Sequence, residues 1–245
     1  MTRKQYFLSG LKDGMPICFG YFAVSFAFGI QAAGIGLSVF EASVLSALNV
    51  TSAGQFAALA IIASGASLIE LAFTQLIINL RYFLMSCALS QKLSPSLPLG
   101  HCLGIAYGMT DEIFAVSVSQ REPLSPFYSY GLIAVAIPGW VLGTALGAAA
   151  GNILPAVLTN ALGIAIYGMF IAIILPPAKE NRVVAGVVVL SMVLSALFTY
   201  LPVLCNISSG FRIIVITLIT AGGAALLFPI PDEPAEPEKE MPHES

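Results

Sequence analysis

Two adjacent carboxylates, Asp111 and Glu112, interrupt the apolar run 97–119 near its middle. In the hydrocarbon core of a bilayer an ionisable side chain costs about 2.5–3.5 kcal/mol on insertion scales, so it faces a cavity or a partner. A carboxylate in such a place can couple transport to a proton or bind a substrate amine. The alternative interpretation is a structural pair with Arg81.

The apolar run 67–90 contains a second group of polar residues, with Glu70 and Thr74 near its start and Asn79 and Arg81 near its middle. In a helix Glu70 and Arg81 lie on one face, but a rise of about 16 Å between them excludes a direct pair. Arg81 therefore needs another acid, a backbone carbonyl or a substrate carboxylate, which its planar guanidinium can bind through two hydrogen bonds. Snorkelling of Arg81 to the membrane interface is the alternative.

A third group of polar and small residues lies in the middle of the run 42–64: Asn49, Thr51, Ser52, Gly54 and Gln55. Asn, Ser and Gly are weak helix formers, and polar side chains of this kind compete for backbone hydrogen bonds. We expect a break or a loosened turn over residues 49–55. Irregular backbone at membrane depth is tolerated only inside protein or beside a water-filled cavity, and a half-helix N-terminus there could bind a carboxylate. Hydrogen bonding between helices without a ligand is the alternative.

The elements that must position these residues follow from composition. The chain has 245 residues, of which 58% are hydrophobic and 9% are charged, and its mean hydropathy is +0.91. Soluble domains carry about 25% charged residues, so a soluble enzyme is excluded. Ten Lys and Arg against thirteen Asp and Glu leave no basic face for nucleic acid. The composition indicates a protein embedded in the lipid bilayer.

Apolar runs long enough to span a bilayer, about 20 residues each, account for most of the chain. They are 14–36, 42–64, 67–90, 97–119, 126–150, 153–176, 183–201 and 210–229. The fold class expected is an all-α integral membrane protein, a polytopic bundle of seven to eight transmembrane helices with at least one discontinuous. Seven applies if one run is re-entrant.

Three regions follow from this division of the chain. Residues 1–13 are expected to form a cytoplasmic N-terminal segment, and residues 14–229 a transmembrane domain. Residues 230–245 form an acidic, Pro-rich tail that cannot bury apolar area and is expected to be disordered and cytoplasmic.

The distribution of Lys and Arg predicts the orientation. With eight spans, Lys92 and Arg212 lie on the side opposite the N-terminus, and most other bases lie on the N-terminal side. Because cytoplasmic loops are enriched in Lys and Arg, both termini are expected in the cytoplasm. The bases on the N-terminal side are Arg3, Lys4, Lys12, Arg121, Lys179, Arg182 and Lys239.

Two stripes of glycine at every fourth residue predict close helix packing, because small residues let helix backbones approach in lipid. They are Gly100, Gly104 and Gly108, and Gly143, Gly147 and Gly151. A short similarity between residues 104–109 and 163–169 is the only hint of an internal repeat.

Enzyme and metal chemistry have little support in the sequence. His101 is the only histidine outside the tail, and neither a G-x-S-x-G elbow nor an H-E-x-x-H motif is present. Four cysteines occur singly, without C-x-x-C spacing. We therefore expect no catalytic residues, no metal site and no cofactor.

Several ordered motifs run along residues 10–120: Gly14-Met-Pro-Ile17, Gly20-Tyr21, Ala27-Phe-Gly-Ile30, Glu41-Ala42, Gly54-Gln-Phe-Ala-Ala-Leu59, Gly65-Ala-Ser67, Ile78-Asn-Leu-Arg-Tyr82, Leu84-Met-Ser86 and Thr110-Asp-Glu-Ile-Phe-Ala115. In order and spacing they resemble the AzlC (azaleucine-resistance) family, the large subunit of two-component branched-chain amino-acid exporters. A looser similarity continues to residue 229.

The resemblance implies an exporter of small hydrophobic amino acids in the bacterial cytoplasmic (inner) membrane, coupled to an ion or proton gradient. It also implies a small membrane-embedded partner of the AzlD type. The alternative is a non-transporting scaffold or binding subunit of a larger complex. A channel is disfavoured because no ring of like charges is visible.

The site expected for such an exporter is a polar cavity near the bilayer midplane. Asp111 and Glu112 would carry a proton or bind the substrate amine, and Arg81 or the half-helix N-terminus would bind its carboxylate. The substrate-binding residues expected are Gly20, Tyr21, Asn49, Thr51, Ser52, Gly54, Gln55, Asn79 and Arg81.

Overall fold

The computed structural model describes residues 2–120, 123–151, 171, 174–201 and 204–229, and every regular element in that part of the chain is a helix. Five of the described helices are long and apolar enough to cross a membrane. They are α1 (Arg3–Gly34), α4 (Leu68–Ser90), α7 (Pro126–Gly151), α8 (Arg182–Tyr200) and α9 (Ser209–Leu227). The shorter helices are α2 (Val39–Leu48), α3 (Ser52–Ala63), α5 (Leu99–Tyr107) and α6 (Asp111–Val118).

The first helix starts earlier than its apolar run. It begins at Arg3, where Thr2 and Gln5 form a reciprocal capping box, so residues 3–13 extend α1 by several turns. The run 153–176 and the acidic tail lie mostly or wholly outside the described residues.

The run 42–64 breaks as expected, but it does not cross the membrane as a discontinuous span, which corrects the expectation of a crossing. It is broken between Asn49 and Thr51, inside the expected interval, and α3 restarts at Ser52. Ala42 near the start of α2 and Leu59 near the end of α3 belong to one buried cluster with Phe28 and Ala32 of α1. The two short helices therefore run antiparallel and form a hairpin, hairpin 1 (39–63), with its tip in the protein interior.

The run 97–119 is also a helical hairpin rather than a single span. It breaks at Gly108–Thr110, and Thr110 caps α6 by accepting a hydrogen bond from the Ile113 N–H. His101 in the first turn of α5 contacts Phe127 at the start of α7. At the end of α6, the Val118 carbonyl accepts a hydrogen bond from Lys92. Both ends of hairpin 2 (99–118) thus lie together, at the end of the bundle where α7 begins.

The two hairpins enter from opposite ends and meet at their tips. Hairpin 1 packs beside the last turns of α1 and against Ala148 near the end of α7, whereas hairpin 2 packs beside the beginning of α7. At the meeting point the Tyr107 hydroxyl donates a 2.5 Å hydrogen bond to the Ala47 carbonyl. Irregular backbone at this depth is tolerated because it is buried in protein or lines a cavity.

Helices α1 and α7 are parallel and share a seam of small residues. Gly10 lies against Tyr128 and Gly131 near their starts, and Gly151 lies against Ile30 near their ends. The packing expected for the stripe 143/147/151 is therefore confirmed. The other stripe differs, because Gly104 and Gly108 meet only side chains of α7 and no atom lies within 4 Å of a Cβ built at Gly100.

The first six helices form two units of similar design and opposite direction. Unit 1 (3–63) is α1 followed by hairpin 1, and unit 2 (68–118) is α4 followed by hairpin 2. Helix α4 starts where hairpin 1 ends and runs back, so that Leu89 near its end packs with Leu124 and Tyr128 beside the start of α7. Transporters often contain such inverted repeats. The short similarity of 104–109 to 163–169 does not correspond to this repeat, and residues 163–169 lie outside the described part of the chain.

The hairpin topology also changes the side of the membrane on which Lys92 lies. Lys92 was expected opposite the N-terminus, but it lies on the N-terminal side, where its amine bonds the Val118 carbonyl and its own carbonyl accepts from the Leu124 N–H. The reason is topological. Because hairpin 1 returns to the side from which it entered, α4 runs back to the N-terminal side, and Lys92 follows its end.

Candidate functional site

A cavity of about 440 Å³ lies where the hairpin tips meet α1, α4 and α7. Its volume is within the range of ligand pockets, roughly 300–1,000 Å³. The residues that line it are Pro16, Ile17, Gly20, Tyr21, Val24, Val50, Ser52, Tyr82, Thr110, Asp111, Glu112 and Trp140. Five residues expected from the sequence are therefore brought together: Gly20, Tyr21, Ser52, Asp111 and Glu112.

One wall of the cavity is apolar and rigid. Tyr21 and Trp140 meet edge to face with 5.2 Å between ring centroids, and both are at least nine-tenths buried. Ile17 and Val24 lie one turn to either side of Tyr21 on α1 and continue the wall. Such a surface suits a small aliphatic side chain.

Arg81 of α4 pairs with an acid of hairpin 2, the other half of unit 2. Its guanidinium lies 2.8 Å from the Asp111 carboxylate, and both side chains keep 38–39% of their surface exposed. Arg81 also donates to the Tyr82 hydroxyl at 3.0 Å. Glu70 does not reach Arg81, as helix geometry requires, and instead accepts a hydrogen bond from the Gly210 N–H. The ion pair that was weighed as the structural alternative is thus formed, and it forms at the cavity.

Glu112 has a different partner from its neighbour. Its carboxylate accepts a hydrogen bond from the Tyr21 hydroxyl, which is also hydrogen-bonded to the Thr110 hydroxyl at 2.6 Å. Asp111 and Glu112 occupy the first turn of α6, where the positive end of the helix dipole stabilises negative charge. Adjacent residues on a helix point about 100° apart, so each carboxylate reaches its own partner.

The corresponding turn of unit 1 carries no acid. Thr51 caps α3 by accepting from the Gly54 N–H, and Ser52 in the first turn faces the cavity. The cavity therefore lies between two half-helix N-termini of unequal charge, one with two carboxylates and one with a hydroxyl.

Three other expected residues lie behind the cavity wall, around Gln75 of α4. The amides of Asn49 and Asn79 donate to the Gln75 side-chain oxygen at 3.3 and 3.2 Å, and the Gln75 amide donates to the Gly54 carbonyl at 2.7 Å. This network ties the tip of hairpin 1 to α4. Thr51, also outside the lining, interacts with the Tyr82 hydroxyl.

Gln55 is fully buried and supports the aromatic wall from behind. Its oxygen accepts the Trp140 indole N–H at 2.9 Å, and its amide donates to the Ser46 hydroxyl at 3.0 Å. Ser46 is in turn hydrogen-bonded to Thr144 of α7 at 2.7 Å. The network connects both helices of hairpin 1 to α7.

This network leads to a test of stability. A Gln55→Leu variant is expected to lose about 1–3 kcal/mol of its free energy of unfolding, because the buried indole N–H of Trp140 is left without a partner and Ser46 keeps only Thr144. Thermal unfolding in detergent measures the loss. Gln91→Leu, at an exposed cap of α4, is the matched control. Equal melting temperatures for the two variants would contradict the role assigned to Gln55.

Sequence reasoning missed Trp140, Tyr82 and Thr110 as site residues. Thr110 had a usable signal, because a threonine directly before two acids is a typical helix N-terminus. Trp140 lies in an uninterrupted apolar run, and nothing local marks it.

Among the described residues, no group of three or more His, Cys, Asp or Glu is placed to hold a metal ion.

Comparison with known proteins covers this same region. The family model for AzlC protein matches residues 16–154. A protein named Uncharacterized membrane protein from Archaeoglobus fulgidus is 35% identical over 189 residues, which cover 76% of this chain and 83% of that protein. Inner membrane protein YgaZ of Escherichia coli is 31% identical over 184 residues, covering 72% of this chain and 75% of YgaZ. No solved structure matches significantly.

Proposed function

Because the chain belongs to the AzlC family of membrane proteins, we propose that it is a secondary-transporter subunit that exports branched-chain or other small hydrophobic amino acids across the cytoplasmic membrane. Transport is coupled to an ion or proton gradient. The observation that carries the proposal is the cavity at the meeting point of two hairpin tips, since transporter substrates bind near the midplane at the interface of inverted repeats.

The polarity of the cavity suits a zwitterion with an aliphatic side chain. A substrate ammonium is attracted to Asp111 and Glu112 in the first turn of α6, and the carboxylate faces Ser52 and the first N–H groups of α3, where the helix dipole is positive. Arg81 offers a second contact for the carboxylate, at the cost of its pair with Asp111. The side chain then packs against Tyr21 and Trp140.

The aromatic wall predicts a broad preference among aliphatic substrates. In an apolar pocket, two substrates that differ by one methylene differ in binding free energy by only about 1–3 kcal/mol. Valine, leucine, isoleucine and methionine are therefore the substrates to test first.

The proposed topology places both termini in the cytoplasm, and a small AzlD-type membrane subunit completes the transporter. The position of Lys92 supports this orientation, because it adds a base to the N-terminal side. The partner subunit is proposed from membership of the AzlC family.

Transport by purified protein in vesicles tests the proposal. We expect vesicles containing this chain and the small membrane protein encoded beside it to move labelled leucine, valine, isoleucine or methionine under a proton gradient. Labelled glutamate and lysine serve as control substrates. If none of the aliphatic amino acids moves, with or without the partner, the transport function is rejected and a scaffold role gains support.

A further inference from the structure

The long helix of each unit carries a tyrosine at the cavity, beside the hairpin tip of the other unit. Tyr21 of α1 is hydrogen-bonded to Thr110, the N-cap of α6 in hairpin 2. Tyr82 of α4 lines the cavity together with Val50 and Ser52 at the tip of hairpin 1, beside Thr51, the N-cap of α3. Within each unit the tyrosine precedes its threonine by a similar distance, 30 residues in unit 1 and 28 in unit 2. The two contacts are thus related by the inverted repeat.

These contacts are placed where the two units meet. Hairpin 1 enters from the side opposite the N-terminus, and Tyr82 holds its tip. Hairpin 2 enters from the N-terminal side, and Tyr21 holds its tip. Each tyrosine has a charged neighbour as well, since Tyr21 donates to Glu112 and Tyr82 accepts from Arg81. The charged residues and the tips are therefore connected through the two phenol hydroxyls.

We propose that Tyr21 and Tyr82 are positioning residues that control the two sides of the cavity, each by holding the hairpin that closes one side. Releasing the Tyr82–Thr51 contact opens the cavity to the side opposite the N-terminus, and releasing the Tyr21–Thr110 contact opens it to the N-terminal side. Alternating access in repeat-built transporters consists largely of moving one unit against the other around a fixed site. This inference rests on the proposed transport function and assigns the step that changes access.

Because Tyr21 is hydrogen-bonded to Glu112 as well as to Thr110, the release of the Tyr21–Thr110 contact is sensitive to what the cavity contains. A substrate ammonium at Glu112, or a proton on that carboxylate, competes for the oxygen to which Tyr21 donates. Occupancy of the acidic end is thus communicated to the tip of hairpin 2 through one hydroxyl. Tyr82 has the equivalent position beside Arg81 and its partner Asp111.

Sided labelling tests the assignment without depending on any substrate. The reporter is Val24→Cys, on the cavity wall of α1 and outside both hairpins, in a chain whose Cys18, Cys87, Cys102 and Cys205 are replaced by alanine. Membrane vesicles of known orientation are treated with an impermeant maleimide from one side at a time. Tyr82→Phe is expected to raise labelling from the side opposite the N-terminus about two- to tenfold, the effect of losing one hydrogen bond. Tyr21→Phe is expected to raise it from the N-terminal side.

Controls separate this role from a general loosening of the fold. Tyr130→Phe removes a hydroxyl bonded to His101 outside the cavity and should leave both labelling rates unchanged. Thr110→Ser keeps the hydroxyl and should behave as the parent, whereas Thr110→Val should reproduce Tyr21→Phe. The proposal is overturned if both tyrosine variants change labelling from the same side, or if neither changes it. A transport assay that fails while sided labelling succeeds would reject the proposed substrate and leave the assignment of the tyrosines standing.

Discussion

A Gly147→Ala variant is expected to lose about 1–3 kcal/mol of stability or more, and with it most of the folded protein in the membrane. A Cβ at this position would collide with the backbone carbonyl of Phe26 on α1. Backbone cannot move aside as a flexible side chain can, so α1 and α7 would have to separate. Gly29→Ala should do the same from the other helix, because its Cβ would meet the Thr144 carbonyl.

Recovery of monodisperse protein and its melting temperature in detergent measure this effect. Gly100→Ala is the matched control, since that glycine also belongs to a stripe of glycines at every fourth residue but has open space around its Cβ position. A Gly147→Ala protein as stable as the Gly100→Ala protein would refute the close seam between α1 and α7.

Asp111→Asn is expected to reduce transport at least about tenfold, given that an unpaired charge at this depth costs about 2.5–3.5 kcal/mol. The substitution leaves the Arg81 cation without its carboxylate, at the place where a substrate ammonium is to bind. The unpaired Arg81 cation should also lower the yield of folded protein. Adding Arg81→Gln to Asp111→Asn removes that cation and should restore the yield, but not transport, because the acidic group is still missing.

Glu112→Gln separates coupling from folding. The amide oxygen can still accept from Tyr21, so the yield should stay near that of the parent. The side chain can no longer carry a proton, and we expect substrate exchange without a gradient to persist while transport driven by pH is lost. Net transport at the parental rate in both Asp111→Asn and Glu112→Gln would reject the coupling role of this pair.

Much of the site could be anticipated because its residues are costly in lipid. Arg81, Asp111 and Glu112 stand out in apolar runs, and the structure brings all three to the cavity edge or its lining. Asn49, Gly54 and Asn79 stand out equally, but they form a hydrogen-bond network around Gln75 behind the wall. A polar residue at membrane depth must be satisfied, and whether a substrate or a neighbouring amide satisfies it depends on packing.

Local properties of the chain determined the membrane class, the apolar helices and the break near Thr51, because hydropathy and helix propensity are set by each residue and its close neighbours. Helix geometry likewise excluded a pair between Glu70 and Arg81. Only the tertiary structure decided whether a broken run crosses or turns back. The runs 42–64 and 97–119 are as long and apolar as spans, and their return depends on contacts such as Phe56 with Phe28, made between residues distant in the chain. Because both runs turn back, Lys92 lies on the N-terminal side and Arg81 pairs with Asp111. For the same reason the tyrosine of each unit lies beside the hairpin tip of the other unit.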